Sequence, residues 1–182
     1  MSLPVKSIPN LLPVVSNTTP LISLVGVGLL DLLAALYGEF WIPDAVHAEY
    51  QRGRTRHPGS PDLDTLTWLR RHSVVPHSAV PTTLDAGEAE ALELALNSSA
   101  RLILLDERRA RQVASSLGLT VAGSLTVLVE AKKRGLITHV GPVIEQMIAQ
   151  GRRISVQLKA HVLQLAGEQV SRIESARELR AG

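Results

Sequence analysis

The chain contains no cysteine. That excludes disulfide staples, a thiolate nucleophile and every zinc site built on sulfur, and it suits a reducing, cytoplasmic setting. Aromatic side chains supply only 3% of the 182 residues. The core must therefore be aliphatic, and no row of rings offers a stacking platform for bases. No apolar run approaches the roughly 20 residues of a membrane-spanning helix, so no membrane association is expected. Pro4, Pro9 and Pro13 interrupt the amino terminus where a signal peptide needs an unbroken apolar segment. Charge of one sign is also scarce: 19 basic residues face 17 acidic ones, for a net +2. That balance differs from a protein that grips nucleic acid by charge alone.

What is present is aliphatic and periodic. Hydrophobic residues make up 45% of the chain, in short runs separated by Gly, Pro and polar turns. The length suits one domain with a real core. Leu11–Ser16, Glu39–Ile42, Ser73–Pro76, Arg101–Leu105 and Thr120–Ala122 read as short strands. Helices are expected from Thr18 or Thr19 to about Tyr37, from Pro43 to Arg52, from Asp62 or Asp64 to about His72, and over Gly87–Asn97. Others follow from Asp106 to about Leu117, over Ser124–Arg134, Pro142–Gln150 and Ser155–Gly167, with a polar helix in the tail. Strands alternating with helices predict a three-layer α/β/α sandwich around a mainly parallel sheet, with extra C-terminal helices. Residues 1–10 form an N-terminal arm in this reading, 11–138 the α/β domain, and 139–182 a helical extension packing on it.

Two carboxylates occupy unusual positions. At about 100° per residue, Glu88 falls in the middle of the apolar arc of its helix, among Ala91, Leu92 and Ala95. Glu90, Glu93 and Asn97 gather on the opposite face. In the Pro43–Arg52 helix, Glu49 falls between Ala45 and Val46 by angle, while Asp44, His47 and Gln51 take the other side. Each helix is thus expected to point one glutamate inward, where a carboxylate must be protonated, paired or bound to a cation. The ordinary alternatives are a first-turn dipole interaction for Glu88 and a local pair with Arg52 for Glu49.

Two further polar residues follow buried strands. Asp106 ends "RLILLD" and Asn17 ends "LPVVSN". Ligands of open α/β sheets bind at the carboxyl ends of strands, although both residue types are also common helix caps. Together the four side chains are expected to form an oxygen-rich cluster. Such a cluster suits Mg²⁺ or Mn²⁺ and the cleavage of phosphodiesters, with RNA as the expected substrate. Arg52, Arg54, Arg108 and Arg109 are the candidate contacts to its phosphates. The six histidines show no ligand spacing, there is no G-x-S-x-G elbow, and "GRRISVQLKAHVLQLAGE" permits a helix-turn-helix without a row of base-reading side chains.

The stretches "VVSNTTPLISLVGVGLLDLL", "WIPDAVHAEY", "LDAGEAEALELAL", "RLILLDERRARQVASSLGL" and "GSLTVLVEAKKRGLI" resemble, in order and spacing, the PIN-domain proteins. The similarity covers roughly residues 14–137. The chain looks like the PIN proteins found as VapC-like toxins and is most similar to a PIN-like branch labelled only as a domain of unknown function, which "IEQMIAQGRRIS" also fits. The resemblance implies a PIN fold and a metal-dependent ribonuclease, the toxin of a toxin–antitoxin pair. It further implies an antitoxin partner, a homodimer, and acidic residues around Mg²⁺ or Mn²⁺. Carried over by position, those residues are Asn17, Glu49, Glu88 and Asp106, with Thr18 or Thr19 assisting. Asn17 departs from the pattern, which has an aspartate there. An amide oxygen can ligate Mg²⁺ but brings no charge and cannot act as a base. Asp44, Asp85 or Glu107 could compensate. The alternative implied by Asn17 is a catalytically degenerate module that binds RNA or a partner protein.

Overall fold

The computed structural model describes residues 12–54 and 59–168. The expected N-terminal arm (1–10), the tail helix and residues 55–58 of the basic loop lie outside the described residues. The chain divides into two compact units, residues 1–127 and 128–182.

The first unit is built on five parallel strands: β1 (Val14–Ser16), β2 (Phe40–Pro43), β3 (Leu69–His72), β4 (Leu102–Leu104) and β5 (Val121–Ala122). Their order across the sheet is β3-β2-β1-β4-β5. Successive strand residues point to opposite faces, and Val14 and Val15 are both fully buried. Both faces of the central strand are therefore covered, as all-parallel sheets require. The chain first builds outward from β1 to one edge, then returns to add β4 on its other side. The strand order reverses between β1 and β4, and the crevice at the carboxyl ends of such a pair is where α/β folds bind ligands.

Helices flank the strands. α1 (Thr18–Gly26) and α2 (Leu32–Tyr37) divide what the sequence suggests is one helix. Gly28, at φ +70°, donates its N–H to the Val25 carbonyl, and Leu29 donates to Leu24. This paired closure needs a left-handed residue just past the helix end, a conformation glycine adopts without strain. α3 (Asp44–Arg54) follows β2, and a single 3-10 turn (Leu63–Thr65) leads into β3. The helix expected over Asp62–His72 is thus replaced by a strand, because Leu69 pairs with Phe40 and Arg70 with Trp41. Ser73–Pro76 forms no strand.

α4 (Ala86–Asn97) packs across β1, β2 and β4. Its Ala91, Leu92, Leu94 and Ala95 join Val15, Ile103 and Leu105 in one buried cluster. Ala110 and Ala114 of α5 (Arg108–Ser116) and Val80 belong to it too. α6 (Ser124–Lys133) begins directly after β5. The second unit continues with α7 (Gly141–Ala149) and α8 (Val156–Leu165). Ile144 and Met147 of α7 and Val162 and Leu163 of α8 are buried there, with Leu128, Ala131 and Val140. No helix among the described residues is long and apolar enough to cross a membrane.

Candidate functional site

β1 and β4 deliver Asn17 and Asp106 to adjacent strand ends at the reversal of the sheet. Asn17 N donates to the Leu104 carbonyl at 3.2 Å, which fixes its backbone beside β4. Asn17 occupies the cap position of α1, yet its side chain makes no capping bond. The side chain turns instead to Glu107: Nδ2 donates to Glu107 Oε2 at 3.2 Å. Its Oδ1 has no hydrogen-bond partner, and the residue is only 3% exposed. A buried acceptor left unpaired costs about 1–3 kcal/mol, so this oxygen calls for an occupant.

Asp106 is not the cap of the helix that follows it; Glu107 holds that position. Asp106 reaches across to the start of α6. Ser124 N donates to its Oδ1 at 2.8 Å, and the Ser124 hydroxyl lies 2.9 Å from Oδ2. Ser23 of α1 donates to the same Oδ2 at 3.4 Å. A β-carbon on Gly123 would stand 2.8 Å from Asp106 Oδ1 and 2.8 Å from Arg111 Nη1. The glycine is what allows Asp106 to lie flat against the chain there.

Glu88 and Glu49 behave differently from one another. Glu88 is buried, 8% exposed, as its place in the apolar arc of α4 implies. Burial raises its pKa first, the Asp85 carboxylate adds to the rise, and the charge of Glu107 adds again, against an opposing Arg109. The inward orientation expected for Glu49 is corrected: Glu49 is exposed. The buried stripe of α3 is Val46, His47 and Tyr50. His47, assigned by angle to the outer face, is buried because its Nε2 pairs with Asp64 at 2.9 Å. Glu49 nonetheless joins the region through its tip, since Thr18 Oγ1 donates to Oε2 at 2.5 Å. Thr19 does the same for Glu107, donating to Oε1 at 2.5 Å.

Glu107, Ser23 and Ser124 carry more of the site than their sequence positions suggest. Glu107 adjoins Asp106 and is one of the three acids that the sequence offers as a substitute for a carboxylate at position 17. The other two serve elsewhere. Asp44 is held by Arg71 and Ser73, and Asp85 caps α4 by accepting from Glu88 N at 2.8 Å. Ser23 and Ser124 reach Asp106 over 83 and 18 residues, so no local spacing announces them. Of the basic candidates, Arg108 and Arg109 are exposed at the start of α5, and Arg52 is exposed on α3. Arg54 is engaged by Asp62 at 3.0 Å and by the Ser60 carbonyl at 3.1 Å.

The donor chemistry suits a hard divalent cation. Every donor is an oxygen, one of them buried and unpartnered, and the negative charge pressing on Glu88 is of the kind a cation relieves. Among the described residues no three His, Asp or Glu side chains converge into a ready ligand group. Glu49 and Asp106 are each tied to hydroxyls instead.

No curated protein and no solved structure gives a significant match to the chain. A family model described as "PIN domain" does match, over residues 13–168, a span that includes every residue of the site, and the chain belongs to the PIN-domain family.

Proposed function

We propose that the chain is a Mg²⁺- or Mn²⁺-dependent endoribonuclease of the PIN type. The observation that supports this best is the buried, unpartnered Oδ1 of Asn17, whose own Nδ2 donates to Glu107 where the strand order of the parallel sheet reverses. Glu49, Glu88 and Asp106, with the amide oxygen of Asn17, are the residues that would hold the ion. When bound, the ion supplies Lewis acidity and an activated water for phosphodiester hydrolysis. Thr18 and Thr19 orient carboxylates by donating to them. Arg108 and Arg109 place positive charge at the start of α5, where an RNA backbone would meet it. Arg52 extends the basic surface, and Arg54, already paired with Asp62, contributes less. The toxin role, an antitoxin partner and a homodimer draw their support from the family resemblance, and a cytoplasmic location from the lack of cysteine.

A second reading has its own observation. Asn17 Nδ2 donates to Glu107, a bond no carboxylate at position 17 could make. This favours a module that keeps the PIN fold to bind RNA or a partner without cutting. The two readings separate in Mn²⁺-dependent cleavage of a mixed RNA pool by wild type, Asp106→Asn and Glu49→Gln, with thermal unfolding as the folding control. Cleavage by wild type that disappears in both folded variants supports the nuclease. Intact RNA with wild type, together with retained RNA binding, supports the non-catalytic module. Neither cleavage nor RNA binding sinks both.

A further inference from the structure

We infer that Glu107 supplies the carboxylate that position 17 lacks, and that Asn17 is the positioning residue that holds it at the site. This rests on the cation-binding part of the reading above.

The geometry carries the assignment. Glu107 stands at the cap position of α5 but makes no capping bond to that helix. The usual task of an acidic residue there is unused. Both its oxygens are directed back to the end of β1: Oε2 accepts from Asn17 Nδ2 at 3.2 Å and Oε1 accepts from Thr19 Oγ1 at 2.5 Å. Two neighbouring residues on one chain segment thus grip one carboxylate from both sides. The amide that holds Glu107 keeps its own oxygen buried and unpartnered. The pair therefore presents one neutral and one charged oxygen donor.

The chemistry explains why an amide stands at position 17. A carboxylate there would face Glu107 Oε2 at the same short range with no proton to donate. Two carboxylates about 3 Å apart cannot both ionise, so one would be protonated and its charge lost. Asparagine removes that conflict. The charge is carried on the cap residue of α5 instead of on the residue that follows β1. On this account Asn17→Asp does not restore a better site; it disables the one present.

The reciprocal exchange is the test. Mn²⁺ affinity is read from the paramagnetic resonance of free Mn²⁺ for wild type, Glu107→Gln, Asn17→Asp, Thr19→Val and the double variant Asn17→Asp/Glu107→Gln, with thermal unfolding to verify folding. Glu107→Gln and Asn17→Asp should each weaken binding by about tenfold or more, and Thr19→Val by less. The double variant again has one amide facing one carboxylate, and should recover most of the loss. Wild-type affinity in Glu107→Gln, tighter binding in Asn17→Asp, or no Mn²⁺ binding by wild type overturns the assignment. Should Glu107→Gln fail to fold, Thr19→Val with unaltered affinity overturns it as well. RNA cleavage measured on the same samples keeps the two readings apart. The expected Mn²⁺ pattern without cleavage removes the nuclease and leaves Glu107 as the charge donor; cleavage with unchanged Mn²⁺ affinity in Glu107→Gln does the reverse.

Discussion

Thr18 Oγ1 donates to Glu49 Oε2 at 2.5 Å, joining α1 to α3 across 31 residues of chain. The donor is buried while the acceptor is exposed. Thr18→Val removes the bond with little change of shape, and water replaces the hydroxyl at Glu49. The stability cost should therefore be modest, about 1 kcal/mol in urea unfolding. The effect on the site should be larger, because Glu49 loses the contact that orients it. Mn²⁺ affinity and cleavage should fall in Thr18→Val and be kept in Thr18→Ser. Equal behaviour of the two variants would deny Thr18 that role.

Two glycines border the carboxylates, and their alanine variants should diverge. A β-carbon on Gly87 meets Glu49 Oε2 at 2.8 Å, the movable tip of an exposed side chain. Gly87 also lies in the first turn of α4, where alanine is the better helix former. Gly87→Ala should leave the melting temperature unchanged or raised while displacing Glu49 and lowering activity. At Gly123 the same addition meets Asp106 Oδ1, Arg111 Nη1 and, at 3.2 Å, the Leu105 backbone oxygen. Backbone gives way less readily, so Gly123→Ala should cost about 1–3 kcal/mol and also weaken the site. A thermal melt of each variant, set beside its activity, checks the divergence.

The sequence makes some of this site legible and hides the rest for physical reasons. Asn17 and Asp106 stand out because a polar residue closing a buried strand breaks the pattern of its own segment. Glu88 stands out because it interrupts a clear apolar arc. Glu49 misleads because α3 buries His47, whose partner Asp64 lies 17 residues away and outside the helix's own periodicity. The strand at Leu69–His72 owes its form to pairing with β2, and a segment reading Leu-Arg-Arg-His carries no apolar alternation to announce it. Glu107 has the weakest signal: its partners are 88 and 90 residues distant, so only the closed sheet shows what it holds.

Glu88 makes stability depend on pH in a defined direction. Its folded pKa lies above the ordinary value of 4.5, through burial first and then the charges of Asp85 and Glu107. A carboxyl with a raised folded pKa favours the folded state below its unfolded pKa, and that contribution is lost as pH rises through the folded pKa. Glu88→Gln removes the dependence. The variant should melt higher than wild type at neutral pH, and the gap should close as pH falls toward 4.5. Added Mn²⁺ should narrow the gap from the other side by stabilising wild type more than the variant. A variant that melts lower than wild type at neutral pH would contradict the account.

Glu168, just beyond α8, gives the opposite pH dependence within the second unit. Its Oε1 accepts from Lys132 Nζ at 2.7 Å and from Val140 N at 2.6 Å, and Oε2 accepts from Gly141 N at 2.9 Å. Val140 makes no side-chain cap for α7, so a remote carboxylate satisfies that helix start and complements its dipole. Burial pushes the Glu168 pKa up, but the Lys132 bond and the two backbone donors outweigh it, and the net shift is downward from 4.5. The contribution is then fully present above 4.5 and lost as pH falls through the lowered folded value. Glu168→Gln keeps the shape but loses the charge and leaves one donor facing another. It should cost about 2 kcal/mol at neutral pH in urea unfolding, and the difference from wild type should shrink in acid. Lys132→Met should show a smaller loss with the same acid dependence, since the two backbone bonds remain; a difference that persists unchanged into acid would refute the charge-based role of Glu168.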